Sequence, residues 1–193
     1  MSKEKGRLFV ISAPSGAGKD TLLNCLLKQR PSLVLSVSAT TRAPRPSEKD
    51  GQSYYFVTRE SFLSMIEAGE FLEHAEYIGE FYGTPKRPIK THIESGHDVI
   101  LEIEVQGARQ IALLDEEAVT IFIVPPSMDE LERRLRHRGT DSEEKLAARL
   151  DRARLELEEK QFYMHVVVND DIKRAVDEIV QIIDSYRDTT SGL

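Results

Sequence analysis

Short, mostly apolar runs alternate along this sequence with longer segments in which apolar residues recur every three or four positions. Runs of the first kind are typical of buried strands, and segments of the second kind are typical of amphipathic helices. The predicted strands of a central sheet are residues 8–11, 33–38, 98–105, 119–124 and 166–168, with helices beginning near 19, 85, 127, 142 and 172. Because strands alternate with helices, we expect a parallel sheet with helices on both faces, a three-layer α/β fold.

Two stretches interrupt this alternation. Residues 37–90 lack the long apolar runs of a buried parallel sheet and contain a proline-punctuated polar loop at 39–48. A helix that ends at Gly69 and further β segments follow, so we expect a small inserted lobe with a binding surface. The second interruption is an arginine-rich corner near Arg138, between two predicted helices. Both stretches are placed where a mobile flap could reach a ligand held on the first loop.

The segment 12–21 follows the first predicted strand and opens the first predicted helix, which is the setting of a phosphate-binding loop. Gly16 and Gly18 permit backbone angles that strain other residues, and the free N–H groups of a helix start attract polyphosphate. Lys19 can reach the outer phosphates. An ordinary glycine-containing turn is the other interpretation, and the strand and helix on either side disfavour it.

Two positions of this loop depart from the usual motif. Ala13 replaces the first glycine, and Asp20 replaces the hydroxyl residue that normally holds Mg²⁺. A carboxylate repels phosphate unless a cation lies between them. We therefore expect either that Asp20 acts through Mg²⁺ or its waters, or that Thr21 supplies the hydroxyl.

Two carboxylates stand near the end of the predicted strand at 98–105. Glu102 and Glu104 are two residues apart, a spacing that places side chains on one face of a strand. The carboxyl ends of parallel strands face the crevice where ligands bind in open α/β sheets. Both side chains are therefore candidates for ligand contacts.

Composition limits the range of functions. The 193 residues carry a net charge of -7, which argues against a broad nucleic-acid surface and favours small anionic ligands at local arginine groups. No apolar run is long enough for a membrane span, and the polar start does not resemble a signal peptide. The single cysteine, Cys25, is expected in or near the core, and the five histidines lack metal-ligand spacing. Together these features favour the cytoplasm.

Across residues 6–187 the chain resembles the guanylate kinases. The segments that carry the resemblance are 12–19, 36–45 (SVSATTRAPR), 71–75 (FLEHA), 82–84 (YGT), 105–108 (VQGA), 138–140 (RGT) and 168–171 (VNDD). The resemblance implies a P-loop kinase fold with a core (6–36, 91–126 and 160–187), a GMP-binding lobe (37–90) and a lid (127–159). It also implies Mg²⁺-dependent transfer of the ATP γ-phosphoryl group to GMP.

Site residues follow from the same resemblance, position by position. The ATP-binding residues would be Ala13, Pro14, Ser15, Gly16, Ala17, Gly18, Lys19, Asp20, Thr21 and Asn169. The GMP phosphate would be held by Arg42, Arg45, Tyr54 and Tyr82, and the base would be read by Ser38, Glu73, Thr84 and Glu104. The catalytic set would be Lys19, Arg42, Arg134, Arg138 and Arg149.

The chemistry of guanine agrees with this assignment. Guanine presents N1–H and an exocyclic amine as adjacent donors, so the carboxylate of Glu73 can accept from both, whereas adenine would leave an acceptor unpaired. Hydroxyl groups of Ser38 or Thr84 can donate to O6. Glu104 stands where the family more often has an aspartate, so its contact with the guanine amine is expected to shift.

Two other functions stay open on the sequence alone. The Gly-Lys-Asp ending of the loop is similar to that of ribose bisphosphate kinases, although such an enzyme has no need of a base-reading Glu73. The other is a non-catalytic, guanylate-kinase-like interaction module. Such a module would keep the fold but would have no catalytic use for Lys19, Arg138 and Arg149, all of which are present. The oligomeric state is not predicted.

Overall fold

The computed structural model describes residues 5–77, 79–114, 117–137 and 142–188. Within this part of the chain no helix is both long and apolar enough to cross a membrane. The strands are β1 (Leu8–Ser12), β2 (Val34–Leu35), β3 (Ala39–Thr40), β4 (Tyr55–Phe56), β5 (Phe71–Tyr77), β6 (Glu80–Pro85), β7 (Val99–Glu102), β8 (Val119–Val124) and β9 (His165–Val168). The helices are α1 (Lys19–Gln29), α2 (Arg59–Glu67), α3 (Lys86–Glu94), α4 (Val105–Leu114), α5 (Met128–His137), α6 (Glu143–Glu158) and α7 (Ile172–Asp188), with a short 3-10 helix at Glu159–Phe162.

A parallel sheet in the order β2-β7-β1-β8-β9 forms the centre of the molecule. Alternate residues of β1 enter different cores, because side chains of a strand point to opposite faces. Phe9 and Ile11 pack with α1 and α7, whereas Leu8 and Val10 pack with α3 and α4. The predicted three-layer α/β fold is confirmed.

The carboxyl ends of β1 and β7 lie side by side. In their register Ile11 pairs with Glu102, so the loop after β1 and the last residue of β7 meet at the carboxyl end of the sheet. Ligands bind at this end of the strands in open parallel sheets.

A second sheet, in the order β4-β3-β6-β5, lies within the inserted segment 37–90. Its core is aromatic: the ring of Phe62 on α2 stacks on Phe71 at 4.4 Å and on Phe81 at 5.4 Å between centroids. The hydroxyl of Thr58 accepts a hydrogen bond from Ser61 N and caps α2. The helix ends before Gly69, which has a φ of 66° as predicted for that position.

Helices α5 and α6 pack against each other through a small apolar cluster. Its fully or nearly fully buried members are Leu131, Leu135, Leu146, Leu150 and Ala153. Both helices begin where the sequence predicts, because Ser127 Oγ accepts from Glu130 N at 3.1 Å and Ser142 Oγ accepts from Lys145 N at 3.4 Å. They occupy the segment predicted as a lid, and Arg138 lies outside the described residues.

Three strand predictions need correction. The strand predicted at 98–105 ends at Glu102, and Val105 already begins α4. The segment 33–38 gives only the two-residue strand β2, after which the chain leaves the central sheet. The run at 166–168 is not fully buried, since β9 lies at the edge of the sheet and leaves Val166 40% and Val168 38% exposed.

Candidate active site

The loop between β1 and α1 takes the form of a phosphate-binding loop. Gly18 caps α1 in the left-handed region with φ 89°, and Gly16 has φ 94°. A Cβ on Gly18 would come within 2.7 Å of Asn169 Nδ2, and one on Gly16 within 2.8 Å of a Leu135 methyl. Both positions therefore require glycine for backbone angle and for space. The resulting turn directs the N–H groups of the first turn of α1 toward the crevice.

Lys19 meets a carboxylate at the base of this loop. Its Nζ lies 3.2 Å from Oε1 of Glu102, and the Lys19 side chain is 15% exposed. The preceding strands bring this pair together, because Glu102 ends β7 beside β1. Asp20 and Thr21, the predicted metal residues, are both exposed in the first turn of α1. Glu102 thus adds a carboxylate beside the lysine that is predicted to bind phosphate.

Asn169 and Arg134 support the loop from behind. Asn169 is buried and donates through Nδ2 to Ala17 O at 2.7 Å. Arg134 donates to the same oxygen at 3.2 Å, to Asn169 O at 2.9 Å and to Glu130 at 2.8 Å. Hydrogen bonds from Arg133 and Arg134 lower the pKa of Glu130 to about 2. The guanidinium of Arg134 is therefore held against the loop by three hydrogen-bond partners.

Helix α6 contacts the loop from the opposite side. Arg149 donates to Ser15 Oγ at 2.8 Å, and Ser15 N donates to Glu156 Oε2 at 3.4 Å. A catalytic candidate on α6 thus lies over the tip of the loop. The side chains of Arg134 and Arg149, both predicted to be catalytic, thus lie next to the loop.

A second cationic group forms on the small sheet. The guanidinium of Arg42 makes two hydrogen bonds to the carboxylate of Glu48, at 2.8 Å and 3.0 Å, and lies 5.5 Å from the Tyr54 ring. The Tyr54 and Tyr82 rings are 6.1 Å apart between centroids. Glu48 raises the pKa of Arg42, whereas hydrogen bonding by Arg42 lowers the pKa of Glu48. Arg42, Tyr54 and Tyr82, three of the residues predicted to hold the GMP phosphate, are therefore neighbours.

The sequence analysis did not identify Glu48. Besides holding Arg42, its Oε2 accepts from the backbone N–H of Arg45 at 2.7 Å and so fixes the loop between the two arginines. The available signal was a glutamate three residues after Arg45 in a loop of cations. A glutamate in a polar loop is by default a solvated side chain, so this signal alone is weak.

Glu73 lies in a buried position between β6 and the start of α4. It is 7% exposed, and its Oε1 accepts from Thr84 Oγ1 at 2.6 Å, across paired positions of β5 and β6. A Cβ on Gly107 would lie 2.7 Å from Oε2, so the glycine allows the carboxylate to approach the first turn of α4. Burial raises the pKa of Glu73. A desolvated acceptor of this kind selects strongly for paired donors.

The predicted pairing of Glu102 with Glu104 on one strand face is wrong. Because β7 ends at Glu102, Glu104 belongs to the start of α4, where its carbonyl accepts from Ala108 N at 3.1 Å. The Glu104 side chain is 70% exposed and lies 3.6 Å from Arg152 on α6. The two carboxylates therefore contact different cations, Lys19 and Arg152.

Comparison with known proteins agrees with this geometry. A family model described as guanylate kinase matches residues 5–186. The chain is 52% identical over 183 residues to the guanylate kinase of Desulfitobacterium hafniense (strain Y51), which covers 95% of this chain and 92% of that protein. It is 51% identical over 185 residues to the guanylate kinase of Trichodesmium erythraeum (strain IMS101), which covers 96% and 100%.

A solved structure gives the same result. The crystal structure of guanylate kinase from Anaplasma phagocytophilum aligns with a TM-score of 0.75 and 40% identity, over 96% of this chain and 88% of that chain. Sequence and fold thus agree over nearly the whole length of each protein, and the chain belongs to the guanylate kinase family.

Proposed function

We propose that this chain transfers the γ-phosphoryl group of ATP to GMP and releases ADP and GDP. The observation that carries the proposal is the buried Glu73 carboxylate, held by Thr84 at 2.6 Å, in the same molecule as a phosphate-binding loop with Lys19. The relatives named above are guanylate kinases by name, which supports the same reaction.

Guanine recognition is assigned to the groove between β5, β6 and α4. With one oxygen of Glu73 held by Thr84, the carboxylate is oriented to accept from N1–H and the exocyclic amine of guanine. Ser38 and Thr84 supply hydroxyl groups for O6. Glu104 is assigned as a further contact of the guanine amine, and its exposed carboxylate lies 3.6 Å from Arg152.

The GMP phosphate is assigned to Arg42, Arg45, Tyr54 and Tyr82. A planar guanidinium binds two phosphate oxygens at once, and Glu48 holds that of Arg42 in a fixed plane. The small sheet follows β2, which pairs with β7 through Leu35 and Ile100, so we place this phosphate position near the end of β7 where Lys19 lies. The two substrates would therefore meet end to end.

ATP is assigned to the loop 13–21, with Asn169 near the adenine. Mg²⁺ prefers oxygen ligands and keeps several waters when it binds through phosphates. Glu102 offers such oxygens beside Lys19, and Asp20 and Thr21 of the first turn of α1 carry the other candidate oxygens, so these residues would hold the ion or its waters. Glu102 was not among the metal residues predicted from sequence. When bound, Mg²⁺ would neutralise charge on the β and γ phosphates.

Catalysis then depends on alignment and charge, since the attacking GMP phosphate is already an anion and needs no general base. Lys19, Arg134 and Arg149 would stabilise charge on the transferring group, a role that arginine fills through its planar donors. Arg138 is proposed for the same role and lies outside the described residues. Closure of the lid (127–159) over the loop and of the lobe (37–90) over GMP would exclude water.

One assay tests the proposal against its alternatives. Purified protein with ATP and Mg²⁺ is offered GMP, AMP, UMP and ribose 1,5-bisphosphate, and ADP release is followed. Rapid turnover with GMP alone is expected. Preference for ribose 1,5-bisphosphate, or the absence of turnover with every acceptor, would overturn it. Neither alternative is favoured, because Glu73 is a buried acceptor held by Thr84 and Arg149 contacts the loop. Action in the cytoplasm stays a prediction.

A further inference from the structure

Helix α6 presents one face of polar side chains to the crevice. Arg149, Arg152 and Glu156 are spaced by three and four residues, so they lie on the same side of the helix. Arg149 and Glu156 both contact Ser15, as described above. Arg152 lies between them and extends away from the phosphate-binding loop.

The guanidinium of Arg152 joins three parts of the molecule. Its Nε donates to Glu156 Oε1 at 2.6 Å, its Nη1 donates to the Tyr77 hydroxyl at 3.4 Å, and its Nη2 lies 3.6 Å from Glu104 Oε2. The guanidinium carbon also lies 5.3 Å from the centroid of the Tyr77 ring, within cation–π range. A continuous series of contacts therefore runs from the loop at Ser15, through Glu156 and Arg152, to the small sheet.

Tyr77 connects this series to the guanine groove. It lies on β5, four residues after Glu73, so the two side chains are on the same face of the strand. Glu104 stands at the start of α4, whose first turn Glu73 approaches at Gly107. Any movement of β5 or α4 when guanine binds would therefore shift Tyr77 or Glu104 and change their contacts with Arg152.

We propose that Arg152 is a positioning residue that couples occupancy of the guanine groove to the placement of α6, and with it Arg149, over the phosphate-binding loop. This inference rests on the proposed function. Arg152 touches no substrate in this proposal. The Arg152 side chain is 47% exposed, and the carboxylates that it contacts are 70% (Glu104) and 11% (Glu156) exposed, so solvent screens the pair with Glu104 most strongly. The proposed effect of these contacts is on the arrangement of the two substrate sites.

Arg154 provides a matched control on the same helix. It carries the same charge and pairs with Asp151 at 2.6 Å, but it does not take part in the contacts between Ser15 and Tyr77. The variants Arg152→Ala, Tyr77→Ala, their double mutant and Arg154→Ala are compared for kcat, KM for GMP, discrimination between GMP and AMP, and thermal unfolding. The affinity for a non-hydrolysable ATP analogue is measured with and without GMP.

Arg152→Ala is expected to lower kcat about tenfold, less than the roughly 100-fold cost of a 1 Å misplacement at a reacting centre. Discrimination between GMP and AMP and the unfolding temperature are expected to match those of Arg154→Ala. GMP is expected to tighten ATP-analogue binding in the wild type and less so in Arg152→Ala. Tyr77→Ala is expected to act non-additively with Arg152→Ala.

Two kinetic results would overturn the inference: Arg152→Ala turning over like Arg154→Ala, or fully additive effects of Arg152→Ala and Tyr77→Ala on kcat. Failure of the proposed function is distinguishable, because the wild type itself would then not phosphorylate GMP. A loss of thermal stability confined to Arg152→Ala would show a structural role and would also overturn the inference.

Discussion

At the scale of single residues, the protonation state of Glu73 is expected to affect both folding and guanine binding. Its burial raises its pKa, because the ionised form loses hydration, and the Thr84 hydrogen bond restores only part of it. The folded state therefore binds this proton more tightly than the unfolded state does. Glu73 consequently makes folding less favourable as pH rises from its ordinary pKa toward its raised one. Bound guanine, with two hydrogen-bond donors, would stabilise the ionised carboxylate and offset its lost hydration.

Glu73→Gln is expected to reduce selectivity for GMP over AMP by about 1–3 kcal/mol, roughly 5- to 150-fold, because an acceptor becomes a donor. The measurement is kcat/KM for both nucleotides. For the wild type, KM for GMP is expected to rise as pH falls through the raised pKa of Glu73. The variant is expected to lose that component while keeping the titration of the GMP phosphate. Unchanged selectivity would contradict base reading by Glu73.

Glu48 holds Arg42, which we propose binds the phosphate of the same substrate. Glu48→Gln is expected to raise KM for GMP several-fold with a smaller effect on KM for ATP, because the amide is uncharged and keeps only one oxygen to accept from Arg42 and from Arg45 N–H. Steady-state kinetics measure this. Glu67→Gln, on α2 of the same lobe, is the control and is expected to behave as wild type. A lower KM for GMP in Glu48→Gln would instead show that Glu48 competes with phosphate.

At the scale of elements, the turn from β1 into α1 depends on glycine for two separate reasons. Gly18→Ala is expected to be destabilised by the positive φ, which costs about 1–2 kcal/mol, and to lose ATP binding because its Cβ would displace Asn169. Gly69→Ala is the matched control, since Gly69 has φ 66° and open space around its Cβ position.

Thermal unfolding and ATP-analogue affinity separate the two effects. Gly69→Ala is expected to lose stability alone, whereas Gly18→Ala is expected to lose both. Equal ATP affinity in the two variants would mean that the close approach of Asn169 to the loop is unimportant for binding.

The elements also show what a sequence can predict. The loop 12–21, the end of α2 at Gly69 and the starts of α5 and α6 follow from local rules of glycine conformation and capping, so they were predictable. The end of β7 was not, because an alternating apolar pattern continues into the first residue of α4. Nor could the run at 166–168 be recognised as an edge strand, because the same apolar run is compatible with a strand that has one neighbouring strand and with a strand that has two.

For the site, the residues were predictable from motifs, but many of their contacts were not. Candidate residues could be named from motifs, but the contact of Lys19 with Glu102 joins elements distant in sequence and depends on the register of β1 with β7. The link from Arg152 to Tyr77 likewise depends on how α6 lies over the small sheet.

At the scale of the whole molecule, a parallel sheet holds the phosphate-binding loop, a small sheet holds the guanine groove, and α5 and α6 lie against the loop. Arg134 and Arg149 approach the loop from two sides, and Arg152 reaches the small sheet. In the proposed reaction this arrangement would bring the phosphates of the two nucleotides together near Lys19.

A crystal structure of the protein with GMP and a non-hydrolysable ATP analogue tests this arrangement most directly. We expect the guanine edge on the Glu73 carboxylate, the GMP phosphate on Arg42 and Arg45, and the γ-phosphate beside Lys19, in line for transfer. GMP bound away from Glu73, or with its phosphate directed away from Lys19, would contradict the proposed reaction geometry.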